Sequence, residues 1–302
     1  MPLHLPPLSR RSFLRRSLAA GAGLLAIPAF RARAGADPDR WALLSDTHIA
    51  GDPATIMRGV NMADHLRSTL AELRGRSVKY AGVFVNGDCA VTKGLAEDYA
   101  TFINLVAPAR EAGLPIHLTL GNHDDRDVFW SALTETKSPA PPVAGKHISI
   151  VESARANWFL LDSLDVVNQT PGTLGAGQRE WLAKALDERP AKPALVMVHH
   201  NPVPSSPGKN TGLTDTGELL AILAPRKHVK ALVFGHSHTW RITAQDGLHL
   251  INLPAVAYPF GPKEATGWVD LTLRHQGASL ELRAHDTALP AHGRVTELQW
   301  RG

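Results

Sequence analysis

The sequence predicts an α/β fold, because short apolar runs alternate along the chain with longer segments of helical periodicity. Runs such as Ala81–Val85 have the length and composition of buried strands. Segments such as residues 55–75 repeat apolar side chains at three- and four-residue intervals, which is typical of one face of a helix. Because strands and helices follow one another in turn, we expect parallel strands joined by right-handed crossovers.

The first half of the chain contains three strand–helix units. Its predicted elements are a strand over Trp41–Leu44, a helix over 55–75, a strand over Ala81–Val85, a helix over Leu95–Ala112, a strand over Pro115–Leu120 and a short helix over Val128–Leu133. Gly75 and Gly113 stand at the ends of the two long helices, where glycine is a common stop signal.

The second half continues the pattern and finishes in strands. Its predicted elements are strands over His147–Val151 and Asn157–Asp162, a helix over Gln178–Glu188, a strand over Ala194–Val198, a helix over Glu218–Leu223, and strands over Val229–Phe234, His249–Leu253, Gly267–Leu273 and Leu280–Ala284. No internal repeat or linker composition interrupts this series. We therefore predict one catalytic domain over residues 35–302, preceded by a leader over residues 1–34.

The charge of the chain is unevenly distributed. Residues 1–34 contain six arginines and no acidic residue, so the remainder has 26 basic and 28 acidic side chains. A domain with this balance has no basic field for nucleic acid, and we expect a small-molecule substrate instead. Cys89 is the only cysteine, which excludes an intrachain disulfide.

The leader resembles an export signal. The segment Ser9-Arg-Arg-Ser-Phe-Leu-Arg15 is similar to a twin-arginine motif, and an uncharged stretch of 14 residues, Ser17–Phe30, follows it. That stretch is shorter than the ~20 residues that a membrane-spanning helix requires. Ala32-Arg-Ala34 matches an A-x-A cleavage site. We predict export to the periplasm by the twin-arginine route; an uncleaved anchor and an ordinary secretory signal are the alternatives.

Polar residues of similar chemistry follow five of the predicted strands. The five segments are Ser45-Asp-Thr-His48, Asn86-Gly-Asp88, Gly121-Asn-His-Asp124, Val198-His-His-Asn-Pro202 and Phe234-Gly-His-Ser-His238. Open α/β sheets bind their ligands at the carboxyl ends of the strands. Oxygen and nitrogen donors from distant parts of the chain are therefore expected to meet at one edge, where they would form a metal site.

Seven of these residues are candidate metal ligands: Asp46, His48, Asp88, Asn122, His199, His236 and His238. Two ions with four protein ligands each require eight contacts, so one carboxylate must bridge, and Asp88 is the natural choice because its motif supplies a single ligand. A mixed oxygen and nitrogen set without thiolate suits two divalent or trivalent ions, such as Fe, Mn, Zn or Co. His199 is preferred to His200 because it directly follows the strand.

The charge of such a centre favours a phosphoester substrate. Two carboxylates and one hydroxide offset only three of the four positive charges of two divalent ions. The remaining charge attracts an anionic phosphate and stabilises its transition state. A pair of ions about 3.5–4 Å apart also lowers the pKa of a shared water.

The ordered motifs Asp-x-His, Gly-Asp, Gly-Asn-His-Asp, His-His-x-Pro and Gly-His-x-His, from Asp46 to His238, resemble those of the calcineurin-like metallophosphoesterase superfamily. Within it, the sequence is most similar to the class III cyclic-nucleotide phosphodiesterases and the glycerophosphodiesterases. The resemblance implies a four-layer αββα sandwich with the metals at the strand ends. It also implies hydrolysis of a phosphomonoester or phosphodiester by a metal-bridging hydroxide.

The resemblance further implies a role for each motif residue. The first metal would be held by Asp46, His48, Asp88 and His238, and the second by Asp88, Asn122, His199 and His236. His123 would contact the phosphate or protonate the leaving oxygen, and Asp124 would orient His123 by a hydrogen bond. The alternative function is a metal-dependent binding protein without activity on the same fold, which would require a missing ligand. A structural zinc site would instead show four ligands at clustered spacing.

Overall fold

The computed structural model describes residues 4–7, 37–133, 141–202 and 210–302. Within these residues two large β-sheets face each other, and a small two-stranded hairpin lies apart from them. One large sheet has seven strands in the order β1-β6-β5-β2-β13-β14-β15. The other has six strands in the order β11-β12-β10-β9-β8-β7, and the hairpin is formed by β3 and β4.

The strands span the following residues: β1 His4–Leu5, β2 Asp37–Ser45, β3 Ile56–Met57, β4 Val60–Asn61, β5 Tyr80–Asn86, β6 Ile116–Thr119, β7 Ser149–Glu152, β8 Asn157–Leu160, β9 Ala194–Met197, β10 Val229–Phe234, β11 Arg241–Gln245, β12 Leu248–Asn252, β13 Gly267–Arg274, β14 Gly277–Ala284 and β15 Val295–Gln299. The helices, numbered as they occur in the described chain, are α1 Met62–Gly75, α2 Ala96–Glu111, α3 Arg126–Leu133, α4 Ala176–Asp187 and α5 Thr216–Leu223. No helix among the described residues is long and apolar enough to span a membrane.

Three apolar clusters show that the fold has four layers. Alternation along the central strands directs successive side chains to opposite faces. On β5, Val85 packs into the cluster that contains α1 and α2, while Phe84 packs between the two sheets. On β9, Leu195 faces the inter-sheet cluster, and Val196 faces the cluster that contains α4 and α5. The order helices, sheet, sheet, helices is the predicted αββα sandwich.

The parallel strands place the polar motifs together, as the sequence predicts. Strands β2, β5 and β6 are mutually parallel, and so are β8, β9, β10 and β12. Their carboxyl ends lead directly into the Asp46, Asp88, Asn122, His199 and His236 segments. The edge of the sandwich at which both parallel sets end is therefore the place for a site.

The helix predicted over residues 55–75 is wrong at its start. It begins at Met62, and residues 56–61 form the β3–β4 hairpin instead. The turn of the hairpin is Arg58-Gly59, and both residues have a positive φ, of 50° and 80°, as in the tight turns that suit two-residue hairpins. Asn61 then caps the helix by accepting a hydrogen bond from the Asp64 backbone N–H at 2.9 Å.

Besides β3 and β4, three short or exposed strands were not predicted: β1, β11 and β15. β11 and β15 lie at sheet edges and bury few of their side chains, so they show no apolar alternation. β1 pairs with the edge of β6, His4 opposite His117 and Leu5 opposite Ile116. The rest of the predicted leader and the proposed cleavage site at Ala32–Ala34 lie outside the described residues.

Candidate metal centre

The seven predicted ligands come from both sheets. Asp46, His48, Asp88 and Asn122 follow strands of the seven-stranded sheet, whereas His199, His236 and His238 follow strands of the six-stranded sheet. All are buried except His236, which is partly exposed. Buried carboxylates and imidazoles in such number require compensation by partners or by a metal.

A first group is formed by Asp46, His48 and His238, which offer ligand atoms within 4.8 Å of one another. The His238 Nε2 atom lies 3.3 Å from Asp46 Oδ1 and 3.1 Å from His48 Nε2. Two imidazole nitrogens and a carboxylate oxygen thus converge on one point, which is the donor set of a transition-metal site.

A second group is formed by Asp88, His199 and His236, again with ligand atoms within 4.8 Å of one another. The His199 Nε2 atom lies 3.2 Å from Asp88 Oδ2. The same Asp88 oxygen lies 3.7 Å from His48 Nε2 in the first group. Asp88 is therefore the carboxylate that stands between the two groups, which is the position expected of a bridging ligand.

The remaining ring nitrogens of two ligands are fixed by backbone carbonyls. His199 Nδ1–H donates to the Asn86 carbonyl at 2.9 Å, and His238 Nδ1–H donates to the Tyr258 carbonyl at 2.6 Å. In the neutral ring these bonds select the tautomer in which Nε2 carries a lone pair. Both Nε2 atoms face the centre in an orientation set by the fold, and in their unprotonated form they are donors to a metal.

The backbone is strained at most of the ligands. Five ligands have a positive φ: 54° at Asp46, 46° at His48, 48° at Asp88, 67° at His236 and 52° at His238. Left-handed backbone costs a non-glycine residue roughly 1–2 kcal/mol. Strain of this kind persists only where surrounding structure enforces it, and it concentrates at functional sites. The left-handed conformation turns the chain sharply after each strand, so that these side chains meet at the centre.

Two glycines of the motifs permit the close approach of the ligand loops. A Cβ on Gly121 would lie 2.1 Å from Asp88 Oδ1, and a Cβ on Gly235 would lie 2.0 Å from Ser45 Oγ and 2.6 Å from Asp46 Oδ2. Real Cβ atoms do not come within 3.0 Å of such neighbours. Glycine precedes the ligands of these motifs because the loops are packed against each other's carboxylates.

The charges of the centre are strongly coupled. Burial alone would raise the pKa of Asp88, but the nearby His199 outweighs this effect and lowers it well below the usual value. Burial would likewise lower the pKa of His199, yet Asp88 and Asp46 raise it to about 10. For His48 and His236 burial is the largest effect, and it lowers the pKa of His48 to about 3 and that of His236 to about 4. These two imidazoles are neutral at pH 7 and ready to ligate.

The donor set fits a pair of transition-metal ions. Asp46 Oδ1, Asn122 Oδ1 and His199 Nε2 are buried and have no hydrogen-bond partner within the described chain. An unsatisfied buried polar atom costs about 1–3 kcal/mol. One ion beside Asp46 and a second beside Asn122 and His199 would satisfy these atoms. In a tetrahedral site with metal–nitrogen bonds of about 2.0–2.1 Å, two nitrogens lie roughly 3.3 Å apart, close to the 3.1 Å between His48 and His238.

Comparison with known proteins agrees with this geometry. A family model described as calcineurin-like phosphoesterase matches residues 40–240, which is more than half of the chain. The chain belongs to the calcineurin-like phosphoesterase family. It is therefore a metal-dependent phosphoric ester hydrolase. The matched region contains every predicted ligand, from Asp46 to His238.

Two relatives that match most of the chain are bacterial phosphodiesterases. The chain is 28% identical over 261 residues to the 3′,5′-cyclic adenosine monophosphate phosphodiesterase CpdA of Escherichia coli, covering 85% of this chain and 90% of the relative. It is 26% identical over 245 residues to the enzyme of the same name from Haemophilus influenzae, covering 78% and 85%.

Solved structures share the calcineurin-like fold. A dimetal phosphatase from Danio rerio superposes with a TM-score of 0.67 at 16% identity, covering 87% of this chain and all of the other. The purple acid phosphatase PPD1 from yellow lupin superposes with a TM-score of 0.63 at 15% identity, covering 86% and 53%. At these identities the likeness concerns the fold alone.

His123 of the family's Gly-Asn-His-Asp motif lies beside both metal-binding groups. It forms a group with His48 and Asp88, and its ring centroid is 5.2 Å from that of His48. Its backbone N–H donates to Asp88 Oδ1 at 2.9 Å, and its Nδ1–H donates to the Thr92 carbonyl at 2.8 Å. The Nε2 atom is the ring nitrogen left to exchange a proton at the centre.

The predicted hydrogen bond from Asp124 to His123 is wrong. The Asp124 carboxylate turns under the loop and accepts four other hydrogen bonds. Their donors are the backbone N–H groups of Cys89, Ala90 and Gly121 and the hydroxyl of Tyr99, at 2.9–3.2 Å. These unpaired loop N–H groups are better donors to a buried carboxylate than an imidazole already bonded elsewhere. Asp124 therefore joins the Asp88 loop to the Asn122 loop.

His200 occupies a different environment from His199. Its Nδ1 is bonded to Ser163 Oγ at 2.8 Å, and its ring centroid is 4.7 Å from that of His236. His199, not His200, belongs to a candidate metal-binding group. This placement agrees with the choice made from the strand boundary.

Sequence reasoning assigned no role to Asn86 and Tyr258. Asn86 accepts from His199 through its carbonyl, and its side-chain amide donates to the Val198 carbonyl at 3.0 Å, which joins the two sheets. Tyr258 stacks on His48 with centroids 5.1 Å apart, besides accepting from His238. Asn86 precedes a motif, which is a usable signal; Tyr258 lies in a loop without one.

Proposed function

We propose that this protein hydrolyses a small phosphodiester with the help of two metal ions, one in each group of ligands. The observation that carries the proposal is the position of Asp88, whose Oδ2 atom approaches His199 at 3.2 Å and His48 at 3.7 Å. Such a shared carboxylate is what a dinuclear centre requires. The ions, when bound, supply an activated water and neutralise charge on the phosphate.

The residues of the chain orient the reaction around that centre. Asp46, His48 and His238 would hold one ion, Asn122, His199 and His236 the other, and Asp88 both. The His123 N–H fixes one oxygen of Asp88, so the other oxygen stays directed at the ligands. The His123 ring is anchored through Nδ1–H, so it would act as the imidazolium, giving its Nε2 proton to the leaving oxygen and becoming neutral.

A phosphodiester is preferred to a monoester as substrate because the relatives that match most of the chain are named cyclic-nucleotide phosphodiesterases. Cyclic nucleotides are accordingly the first substrates to test. The predicted export signal is unusual for enzymes that act on cytoplasmic nucleotides, so non-nucleotide diesters belong in the same panel.

The test is a phosphoester panel with protein loaded with Mn, Zn or Fe. The panel contains 3′,5′-cyclic AMP, bis-p-nitrophenyl phosphate, p-nitrophenyl phosphate and a glycerophosphodiester. We expect the protein to hydrolyse diesters and to bind two ions per chain. Asp88→Asn is expected to lose both the turnover and the pair of ions. The matched control is Asp64→Asn, which alters an exposed carboxylate on α1. Two bound ions without turnover of any ester would favour a metal-dependent binding protein instead.

We also propose that the protein is exported by the twin-arginine route. The support is the sequence Arg10-Arg11 followed by an uncharged stretch and Ala32-Arg-Ala34. A mature N-terminus near Gly35 in the periplasmic fraction, abolished by a double lysine substitution at Arg10 and Arg11, is the expected result. Full-length protein confined to the cytoplasm would contradict the proposal.

A further inference from the structure

An exposed aromatic ring lies directly on one of the metal ligands. The ring of Phe260 is parallel to that of His238, with centroids 3.9 Å apart and planes inclined by 9°. Phe260 is nevertheless 52% exposed, whereas its neighbour Tyr258 is buried against the rings of His48 and His238. Phe260 therefore presents apolar surface to solvent at the rim of the centre, next to a metal ligand.

A guanidinium group is held over the same ring. Arg58, at the tip of the β3–β4 hairpin, places its Cζ atom 5.1 Å from the centroid of Phe260 and 5.7 Å from that of Tyr258. Across the described residues its side chain forms no hydrogen bond or ion pair. The donors of Arg58 are therefore available, although aromatic contacts fix the group in place.

The backbone of Arg58 adds to this argument. Its φ is 50°, in a turn whose following residue, Gly59, also has a positive φ. The first position of such a turn favours Asn, Asp or Gly, because a longer side chain is strained there. An arginine at this position gains nothing for the turn itself, and among the described residues its side chain contacts the aromatic pair beside the metal ligands.

We propose that Phe260, which has His238 on one face, and the Arg58 guanidinium above its ring form a rim platform. The planar aromatic part of the substrate, a nucleobase, stacks on the guanidinium side of this platform while the phosphate lies on the metal centre. The proposal rests on the proposed phosphodiesterase function for the position of the phosphate. Phe260 lies against the ligand His238, so the platform borders the centre that would hold the phosphate. The guanidinium of Arg58 is planar and charged, so a base that stacks on it gains a cation–π contribution.

The platform predicts that the protein prefers substrates that carry a nucleobase but does not distinguish one base from another. Every base presents a π-face, and stacking on an aromatic side chain is tolerant of base identity. Adenine and guanine nucleotides are therefore expected to be used with similar efficiency, and both better than a diester that lacks a ring.

The experiment compares two substrates with the full, metal-loaded chain. The readout is the ratio of kcat/KM for 3′,5′-cyclic AMP to that for glycerophosphoethanolamine. Phe260→Ala and Arg58→Ala are each expected to lower the ratio about tenfold, and Phe260→Trp to keep it within about threefold because the stacking surface remains. Val295→Ala and Arg67→Ala, at an exposed apolar residue and an exposed arginine elsewhere, are the matched controls.

Two results would overturn the platform. An unchanged ratio in Phe260→Ala and Arg58→Ala would show that neither residue recognises the base. An equal fall for both substrates, with a fall in bound metal, would show that Phe260 only supports His238.

A binding measurement separates this proposal from the proposed function. Calorimetry with adenosine 5′-monophosphate and ribose 5-phosphate needs no turnover. If the chain hydrolyses no diester, the phosphodiesterase proposal fails, but an affinity about tenfold higher for the nucleotide, lost in Phe260→Ala and Arg58→Ala, still supports the platform. Equal affinities for the two compounds would exclude it.

Discussion

Replacement of Gly121 by alanine tests whether the packing of the ligand loops controls the centre. The new Cβ would lie 2.1 Å from Asp88 Oδ1 and 2.5 Å from the Asp88 backbone nitrogen. Since real Cβ atoms stay beyond 3.0 Å of such neighbours, the carboxylate must move by at least about 0.9 Å. Gly121 has no left-handed φ, so the backbone itself accepts alanine. The clash with Asp88 is thus isolated from backbone strain.

The size of the effect follows from that displacement. A shift of about 1 Å at a reacting centre costs on the order of 100-fold in rate, and an extra methyl in a packed region costs about 1–3 kcal/mol of stability. We therefore expect Gly121→Ala to fold, to lose at least one metal ion per chain, and to lose about 100-fold in kcat/KM on bis-p-nitrophenyl phosphate. Metal content is measured by plasma mass spectrometry and folding by thermal unfolding.

Gly217→Ala is the matched control. Gly217 lies in α5, and a Cβ added there would meet nothing within 4 Å. Alanine at this position should leave activity unchanged and raise stability by up to about 0.5–1 kcal/mol. If Gly121→Ala retains both ions and activity within about threefold, Asp88 is not the shared ligand that the geometry indicates, and the reasoning is refuted.

Three further outcomes are expected. His123→Gln should lower kcat about 100-fold for alkyl leaving groups and far less for p-nitrophenolate, which leaves without protonation; equal losses in a leaving-group series would argue against a proton donor. Metal binding at pH 8 should release a proton from His199, whose pKa in the metal-free protein is about 10, and calorimetry in buffers of different ionisation heat measures it. Because the pKa of His199 is raised, the His199–Asp88 pair stabilises the metal-free fold fully below about pH 6.5, and this stabilisation is lost as the pH rises through 10. Metal affinity increases over the same range. Binding heats that do not depend on the buffer would disprove the charged state of His199. Trp158→Ala, at a fully buried ring between the sheets, should cost about 3–5 kcal/mol in urea unfolding, and a cost below about 1 kcal/mol would contradict the inter-sheet core.

The buried part of the fold was predictable from the sequence, because buried strands and long helices carry periodic signals. The buried parts of β2, β5, β9 and β10, such as Trp41–Leu44 and Ala231–Phe234, are apolar runs, which is typical of strands covered on both faces. Elements that bury little gave no such signal: β11 and β15 are edge strands with mostly exposed side chains. The hairpin before α1 was missed because Ile56 and Val60 also fit a helical period, and only the left-handed Arg58-Gly59 turn separates the two conformations.

The ligand set of the site was predictable for a different reason. Parallel strands deliver their carboxyl ends to one edge, so the topology alone brings Asp46, Asp88 and His199 together. The bonds behind the ligands were not predictable, because they depend on which loop carbonyl lies beneath each ring. The Tyr258 carbonyl under His238 and the four donors around Asp124 are examples. The contact of Arg58 with Phe260 joins residues about two hundred positions apart and has no motif.

The division of the ligands between the two sheets determines the order in which the protein folds and binds metal. Asp46 and His48 on one side and His238 on the other can share an ion only after the halves of the sandwich have docked across the inter-sheet core. An unfolded or half-folded chain offers no more than isolated donors. Metallation must therefore follow assembly. Under the proposed export, the protein would therefore either cross the membrane folded with its metal bound or bind metal after it has crossed.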